Sequence, residues 1–253
     1  MANSDGTPIW YELMTNDAEG AQKFYADVVG WTIAPSGMEG TGDYRVLTAP
    51  DGKGVGGMMK LPDGAPMKPG WFSYIGMQDV DGTVEKIKAK GGSVHMGPQD
   101  IPGVGRFAMV ADPQGMVFYV MRGDSPDDSK AFGTGPGHCG WNELVTSDHK
   151  AALDFYGPLF DWENKETMPM GPAGDYCFID HAGTRIGAMM TAGQGFATRW
   201  NYYFTVASID AAIEKIKAGG GTVTHGPQEV PGGAFIVVAD DPQGASFALS
   251  GAK

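Results

Sequence analysis

The sequence has few cysteines and few basic residues relative to acidic ones. Only Cys139 and Cys177 occur among 253 residues, and they lack the spacing of a CxxC metal or redox motif, so we expect two free thiols. The 30 acidic residues outnumber the 18 basic ones and give a net charge of -12. This balance leaves no basic surface of the size that nucleic acid or an anionic membrane requires. We therefore expect neither as a partner.

Long apolar runs are also missing. No stretch approaches the ~20 apolar residues of a membrane span. The opening "MANSDGTPIW" has neither a positively charged start nor an apolar run, which argues against a secretory signal and predicts a cytoplasmic protein. A length of 253 residues suits two compact domains, each with its own hydrophobic core.

The strongest positive signal is an internal duplication, which the six tryptophans show most clearly. Trp10 and Trp31 match Trp141 and Trp162, each 131 positions later, and Trp71 matches Trp200, 129 positions later. Other landmarks keep step, including "FY" at 24 and 155, "GPQDIPG" at 97 with "GPQEVPG" at 226, and "DPQG" at 112 and 241. The Gly-, Pro- and Ser-rich segment between the copies is typical of a linker. We predict domains at 1–123 and 137–253, joined by a linker at 124–136.

Each half contains two similar units. In the first, "IWYELMT" predicts a strand, Asn16 and Asp17 can cap a helix that reaches about Val29, and three short strands follow at about 31–35, 43–49 and 54–60. The pattern restarts at "WFSYIGM", with a helix near 80–90 and strands at about 93–96, 106–111 and 116–121. The second half repeats both units. The fold prediction is therefore α+β, with four βαβββ modules.

These repeated phrases resemble the vicinal oxygen chelate superfamily, which includes glyoxalase I, bleomycin-resistance proteins and extradiol dioxygenases. The resemblance rests on "EL.T.D...A..FY......W" in both first units, "V...GG.V...GP......G" in both second units and the closing "DPQG...F". It covers nearly the whole chain outside the linker. It implies two tandem glyoxalase-like domains, in which paired modules curve mixed sheets around a concave site.

Metal-dependent members of that family place ligands on the first and last strands of each paired module. Those positions are occupied by aromatic, thioether or small side chains in both halves, except for Asn201, which could offer only a weak carbonyl oxygen. They fall at about Trp10, Met58 or Met59, Phe72 and Tyr119 in the first half, and at about Trp141, Met189 or Met190, Asn201 and Ala248 in the second. An indole offers no usable lone pair, and a thioether is too soft for Mg²⁺, Mn²⁺, Ni²⁺ or Zn²⁺. We predict no metal site and no cofactor.

Two glutamates are the candidate catalytic residues. Strand residues two apart share a face, so Glu12 is expected beside Trp10, and Glu143 beside Trp141, on the concave side. A carboxyl group in an aromatic pocket has a raised pKa and can act as a general base or pair with a cationic ligand. Alternatively, these glutamates only accept structural hydrogen bonds.

The remaining candidates would line the pocket. An aromatic set can stack a planar or hydrophobic ligand, although ordinary core packing is the alternative. The predicted ligand-binding residues are Trp10, Phe72, Tyr74, Tyr119, Trp141, Met189, Asn201 and Tyr203, with Arg106 at the pocket mouth to hold an anionic group.

The function prediction follows from that lining. We expect a glyoxalase- or bleomycin-resistance-like protein that binds a small organic molecule in a metal-free aromatic pocket, as a monomer or homodimer. The alternative is an enzyme of the same superfamily, a lyase, isomerase or dioxygenase, that uses either a metal ion or Glu12 and Glu143 as general bases.

Overall fold

The computed structural model describes residues 3–38, 42–62, 64–65, 67–194 and 197–253. Its first two modules follow the predicted order of elements. The first comprises β1 (Pro8–Thr15), α1 (Ala18–Val28), β2 (Thr32–Pro35), β3 (Arg45–Thr48) and β4 (Gly54–Lys60). The second comprises β5 (Gly70–Gly76), α2 (Val80–Ala89), β6 (Ser93–Ile101), β7 (Gly105–Ala111) and β8 (Val117–Gly123).

The third and fourth modules repeat this order, with a 3-10 helix, Gly171–Ala173, added before β11. The third comprises β9 (Cys139–Thr146), α3 (His149–Phe160), β10 (Thr167–Pro169), β11 (Asp175–His181) and β12 (Thr184–Thr191). The fourth comprises β13 (Arg199–Ser208), α4 (Ile209–Ala218), β14 (Thr222–Glu229), β15 (Phe235–Asp240) and β16 (Ser246–Ala252). None of the helices in the described residues is long and apolar enough to cross a membrane.

Local sequence explains where the helices begin and end. The carboxylate of Asp17 accepts a hydrogen bond from the backbone N–H of Gly20, which satisfies one of the free donors of the first turn of α1. Asp148 caps α3 in the same way through the N–H groups of Lys150 and Ala151. Gly30 follows α1 with a φ of 86°, a left-handed conformation that favours glycine.

The strands form two eight-stranded mixed sheets that are not closed. Their orders are β2-β3-β4-β1-β5-β8-β7-β6 and β10-β11-β12-β9-β13-β16-β15-β14. In each, the first strand of a module pairs in parallel with the last one, so that β1 lies beside β4 and β9 beside β12. This parallel pairing places Glu12 opposite Gly57 and Glu143 opposite Ala188. The predicted fold class is confirmed.

Two corresponding strands, β6 and β14, are longer than predicted. The sequence suggested a strand at about 93–96 that ends before "GPQDIPG", but β6 continues to Ile101 and β14 likewise continues to Glu229. The pairing of β6 with β7 shifts register between Val94 and Met96 and again between Met96 and Gln99. Irregular pairing accommodates Gly and Pro inside an edge strand, which simple strand propensity does not anticipate.

Two compact units combine modules from different halves of the sequence. We call one of them the outer unit because it joins the first and fourth modules, which are the outermost in the sequence. It comprises Trp10–Trp71, Lys130–Gly140 and Asn201–Lys253. The inner unit comprises Met1–Ile9, Phe72–Ser129 and Trp141–Trp200, and joins the second and third. The domain boundaries 1–123 and 137–253 remain a prediction.

The core of the outer unit is built around Tyr25 of α1. Its ring packs edge-on against Trp71, with centroids 5.2 Å apart, and against Phe247, at 5.3 Å. Its hydroxyl donates to a carboxylate oxygen of Asp241, 3.0 Å away, and accepts from the indole N–H of Trp71. Asp241 begins the second "DPQG" turn, so this turn joins the fourth module to the helix of the first.

The inner unit contains the same arrangement. Tyr156 of α3 donates to Asp112 of the first "DPQG" turn, at 3.1 Å, and its ring stacks on Trp162 with centroids 5.7 Å apart. Asp112 also accepts hydrogen bonds from the backbone N–H groups of Gln114 and Met116, which close the turn. "DPQG" is therefore a structural turn, and its buried aspartate has a second partner on a helix. Trp162 and its counterpart Trp31 are buried core residues.

The predicted linker packs in its second part. Ala131 is fully buried, and the carbonyl of Gly137 accepts a hydrogen bond from the indole N–H of Trp31, 2.7 Å away. His138 is buried nearby, with its Nδ1 atom 2.6 Å from the carbonyl oxygen of Lys130. Residues 130–140 are therefore part of the outer unit rather than a free tether.

Candidate functional site

A chain of side-chain hydrogen bonds joins Trp10 to Glu12 in the first module. The indole Nε1 of Trp10 donates to the hydroxyl of Tyr44, 2.9 Å away, and that hydroxyl donates to Oε2 of Glu12 at 2.8 Å. Tyr44 lies just before β3, while Trp10 and Glu12 lie on one face of β1. All three belong to the outer unit. The two strand residues that we expected on one face are thus bridged by a tyrosine.

The third module repeats this chain atom for atom. Trp141 donates to the hydroxyl of Tyr176 at 2.9 Å, and Tyr176 donates to Oε2 of Glu143 at 2.8 Å. These residues belong to the inner unit. We call the sets Trp10–Tyr44–Glu12 and Trp141–Tyr176–Glu143 the first and second clusters. Their identical hydrogen bonding shows that the duplication extends to a specific polar arrangement.

Glu12 is the more unusual of the two glutamates. Its side chain is fully buried, and Oε1 has no hydrogen-bond partner among the residues that the structure describes. Burial raises the pKa of Glu12 to about 8, although the hydrogen bonds from Tyr44 and Trp10 oppose the shift. At neutral pH the carboxyl is therefore mainly protonated.

The aromatic residues of the second module pack on one another. Tyr74 and Tyr119 stack with ring centroids 4.2 Å apart and planes 5° from parallel, and both are buried. Phe72 lies edge-on to Tyr119 at 6.2 Å and is half-buried. The two tyrosines thus form core packing, which was the alternative to a ligand-stacking role, and Phe72 keeps an exposed part.

Three second-half candidates occupy different positions. Met189 is fully buried and pairs with Leu144, so it lies on the face of β12 opposite to that of Ala188 and Glu143. Met190 takes the glutamate face instead, because adjacent strand residues point to opposite sides. Asn201 and Tyr203 are buried on β13 in the outer unit. Met189 therefore lies on the face of the sheet away from Glu143, and its role in ligand binding remains a prediction.

Arg106, predicted to lie at the pocket mouth, is paired with two acidic side chains. Its guanidinium donates to both carboxylate oxygens of Asp81 on α2, at 2.6 and 2.8 Å, and to Asp100 at 3.2 Å. It pairs with Arg122 in the β7–β8 ladder, whereas Tyr119 pairs with Met109, three residues further on and thus on the other face. Arg106 lies on the helix-bearing side because an acidic partner on α2 holds it there.

The histidines are scattered through the fold. His138 and His181 are buried with backbone carbonyl partners, while His149 contacts Thr191 and His225 contacts Gln228. Within the described ranges, no group of three or more His, Cys, Asp or Glu side chains is arranged to hold a metal ion. Cys139 and Cys177 are both buried, and neither takes part in a disulfide bond within the described residues.

Two cavities lie away from the first and second clusters. One, of about 310 Å³, is formed where α1 meets α4 in the outer unit, and its lining includes Phe24, Lys215 and Gln243. Another, of about 270 Å³, adjoins the end of β4. Neither is lined by a residue of the two clusters.

Comparison with known proteins identifies the family. A family profile described as "Glyoxalase/Bleomycin resistance protein/Dioxygenase superfamily" matches residues 8–120 and again 135–249. The chain belongs to this superfamily. The two matches coincide with the two halves of the duplication, and the tandem arrangement that the sequence predicted is confirmed.

Curated relatives in the superfamily span nearly the full chain. The Mycobacterium tuberculosis protein named "Putative glyoxylase CFP32" is 31% identical over 247 residues, which cover 96% of this chain and 94% of that protein. The "Anthracycline biosynthesis protein DnrV" of Streptomyces peucetius is 31% identical over 259 residues, which cover 96% of this chain and 92% of that protein.

Solved structures share the fold at low sequence identity. The Mn(II)-bound glyoxalase from Novosphingobium aromaticivorans has a TM-score of 0.66 at 18% identity, covering 98% of this chain and 83% of that one. The 2,3-dioxygenase LapB from Pseudomonas sp. KL28 has a TM-score of 0.66 at 13% identity, covering 99% and 93%.

The side chains present do not fit the divalent ion of the metal-dependent superfamily members. In the first module the positions that carry ligands in those members hold Trp10 and Met59, and the indole nitrogen of Trp10 donates its proton to Tyr44. The nearby carboxyl of Glu12 is fully buried and mainly protonated at neutral pH, which makes it a poor ligand. In the third module, Trp141 likewise donates its proton to Tyr176.

Sequence reasoning missed Tyr44 and Tyr176. The available signal was the repeated tripeptide "GDY", at 42–44 and 174–176, whose separation of 132 positions is within one residue of the 131 positions between Trp10 and Trp141. Each tyrosine lies two positions before the residue that pairs across from Gly57 or Ala188. That register places it on the same face as the glutamate, so the pattern combined with strand pairing could have found it.

Tyr44→Phe is expected to raise the pKa of Glu12 above about 8, by roughly one unit. The lost hydrogen bond stabilises the ionised carboxyl, so its removal favours the protonated form. The infrared carbonyl band of the protonated acid, followed against pH, measures the midpoint. Tyr176→Phe is the matched control and should leave the Glu12 midpoint in place. A lower midpoint in Tyr44→Phe would contradict the donor direction described above.

Proposed function

We propose that this protein binds a small, planar organic molecule against its aromatic clusters, without a metal ion. The observation that supports this most is the Trp–Tyr–Glu cluster, built twice with hydrogen bonds of the same length, at the position where metal-dependent relatives begin their ligand set. Trp10 and Trp141 are both half-buried, so each indole keeps surface for a ligand. The name of DnrV, which refers to the biosynthesis of a polycyclic aromatic class, is consistent with a planar ligand.

Binding is tested by thermal shift with the planar aromatic compounds proflavine and anthraquinone-2-sulfonate. A ligand that binds only the folded state stabilises it, by about 2.7 kcal/mol when the ligand concentration is 100 times its Kd, and this raises the melting temperature. We expect the same rise in protein treated with EDTA and in protein supplemented with Mn²⁺. A rise that requires added metal would contradict the metal-free part of the proposal.

The alternative is catalysis through the glutamates. The raised pKa of Glu12 favours it, because a group that titrates near neutral pH can exchange protons with a substrate. Glu12→Gln and Glu143→Gln distinguish the two functions. Loss of turnover with retained ligand binding would indicate that the glutamate transfers a proton. Variants whose ligand affinity and turnover both match those of the wild type would support binding alone.

Further expectations from composition remain part of this proposal. We expect the protein to act in the cytoplasm, without nucleic acid, as a monomer or homodimer. Bleomycin is one ligand that the superfamily description suggests, and it can be tested in the same assay.

A further inference from the structure

The two clusters have the same hydrogen bonds but different neighbours. Strand pairing makes Val46 the counterpart of Phe178, since they lie opposite Gly57 and Ala188 respectively. The same comparison makes Gly54 the counterpart of Arg185, two positions before the glycines Gly56 and Gly187. The second cluster therefore has the aromatic ring of Phe178 where the first has the smaller side chain of Val46. It has the cation of Arg185 where the first has Gly54, which carries no side chain.

Phe178 and Arg185 fill the space beside the second cluster. The Phe178 ring lies edge-on to Trp141, at 6.0 Å and 83°, and to Tyr176, at 5.6 Å and 82°. The Arg185 guanidinium lies 4.2 Å from the centroid of that ring. Ion pairs with Asp180 at 3.1 Å and Glu166 at 2.9 Å hold it there. The chain thus supplies its own aromatic ring and its own stacked cation.

The corresponding positions beside the first cluster hold smaller residues, Val46 and Gly54. A Cβ atom built on Gly54 would lie 3.4 Å from Cη2 and Cζ3 of Trp10, so the indole edge approaches this glycine to van der Waals contact distance from one side. Gly54 is exposed, while Trp10, Tyr44 and Val46 are half-buried. On the same face, Oε1 of Glu12 is buried without a hydrogen-bond partner among the described residues. A cluster that lacks the ring and the cation of its counterpart is suited to a ligand that supplies both.

We propose that the first cluster is the ligand site, that it accepts a planar aromatic cation, and that Phe178 and Arg185 permanently occupy the second cluster. The ligand ring would lie edge-on to Trp10 and Tyr44, and its positive charge would lie over Gly54, as Phe178 and Arg185 do beside Trp141. The net charge of -12 favours the approach of a cation. This inference rests on the proposed function and specifies both the site and the charge of its ligand.

Calorimetric titration with proflavine, a planar aromatic cation, tests the proposal. We expect the wild-type protein to bind one equivalent per chain, and more tightly than it binds the anion anthraquinone-2-sulfonate. Val46→Phe with Gly54→Arg fills the first cluster and should weaken proflavine binding at least tenfold. The reciprocal pair, Phe178→Val with Arg185→Gly, opens the second cluster and should raise the stoichiometry to two. Circular dichroism confirms that each variant is folded.

The possible results separate this inference from the proposed function. Two equivalents bound by the wild type, or weaker binding only in the reciprocal variant, would overturn the assignment of the site and leave a binding function intact. Preference for the anion would overturn the ligand charge. Failure of the wild type to bind either probe would reject the proposed function itself. If the filled variant does not fold, the stoichiometry of the reciprocal variant still decides the assignment.

Discussion

Glu12→Gln is expected to make the stability of the protein much less dependent on pH. The free energy of unfolding of the wild type should fall by about 5 kcal/mol as the pH rises from about 4.5 to above 8, and the substitution should abolish most of this loss. The pKa of Glu12 is raised in the folded state, so between these values the native protein keeps a proton that the unfolded chain releases. The contribution of the protonated carboxyl to stability is complete below the unfolded pKa of 4.5, and is lost as the pH rises through the folded pKa of about 8. Glutamine resembles the protonated carboxyl in shape but does not ionise.

Urea unfolding at pH 5.5 and pH 9 measures this effect. The free energy of unfolding of the wild type should fall by about 1.4 kcal/mol per pH unit across much of that interval, which is a large share of a typical stability of about 5–15 kcal/mol. Glu143→Gln is the matched control because Glu143 is half-buried and leaves Glu12 intact, so its profile should follow the wild type. A Glu12→Gln profile as steep as that of the wild type would show that Glu12 is not the group responsible.

Gly187→Ala is expected to destabilise the protein by roughly 4 kcal/mol or more, or to prevent folding. A Cβ atom at Gly187 would lie 1.8 Å from the backbone oxygen of Asn142, its partner in the parallel pairing of β12 with β9. The obstacle is backbone within a strand ladder, so it cannot move aside as a flexible side chain would. Gly56 meets the oxygen of Tyr11 at 2.2 Å in the first module, which shows that the close approach is part of the repeated fold.

Thermal unfolding and the yield of soluble protein are the measurements for Gly187→Ala. Gly97→Ala is the control, since a Cβ atom there meets nothing within 4 Å. The control should change the melting temperature little. A Gly187→Ala protein as stable as the control would mean that β9 and β12 are not paired as closely as described.

The fold could be predicted from sequence because its signals are local and occur more than once. Asp17 and Asp148 each precede an amphipathic segment, and each caps a helix as expected. Alternation along β1 correctly placed Trp10 and Glu12 on one face, where Tyr44 joins them. Repetition of these signals at a constant spacing removed the ambiguity that a single short strand would leave.

Much of the site could not be predicted, because it depends on which strands and helices meet. The choice between Met189 and Met190 depended on the register between β9 and β12, where an error of one residue exchanges the two faces. The ion pair of Arg106 could not be anticipated because its partner, Asp81, lies 25 residues away on a helix. The sequence predicted a raised pKa for a glutamate in an aromatic pocket, whereas the complete burial that causes it at Glu12 depends on packing between elements distant in the sequence.

The pairing of modules was left open by the sequence and follows from two hydrogen bonds. Tyr25 reaches Asp241 and Tyr156 reaches Asp112, so each "FY" helix meets the "DPQG" turn of a distant module in its own unit. Both motifs were visible as repeats, but neither indicates its partner. The buried aspartates are thus a contact between modules as well as turn residues.

A crystal structure of the protein, purified without chelator and soaked with proflavine, tests the central claim most directly. We predict planar density beside Trp10 and Tyr44, over Gly54, with no anomalous signal from a metal ion at either cluster. An ion bound by three or more side chains near Trp10 or Trp141 would contradict this account of the site.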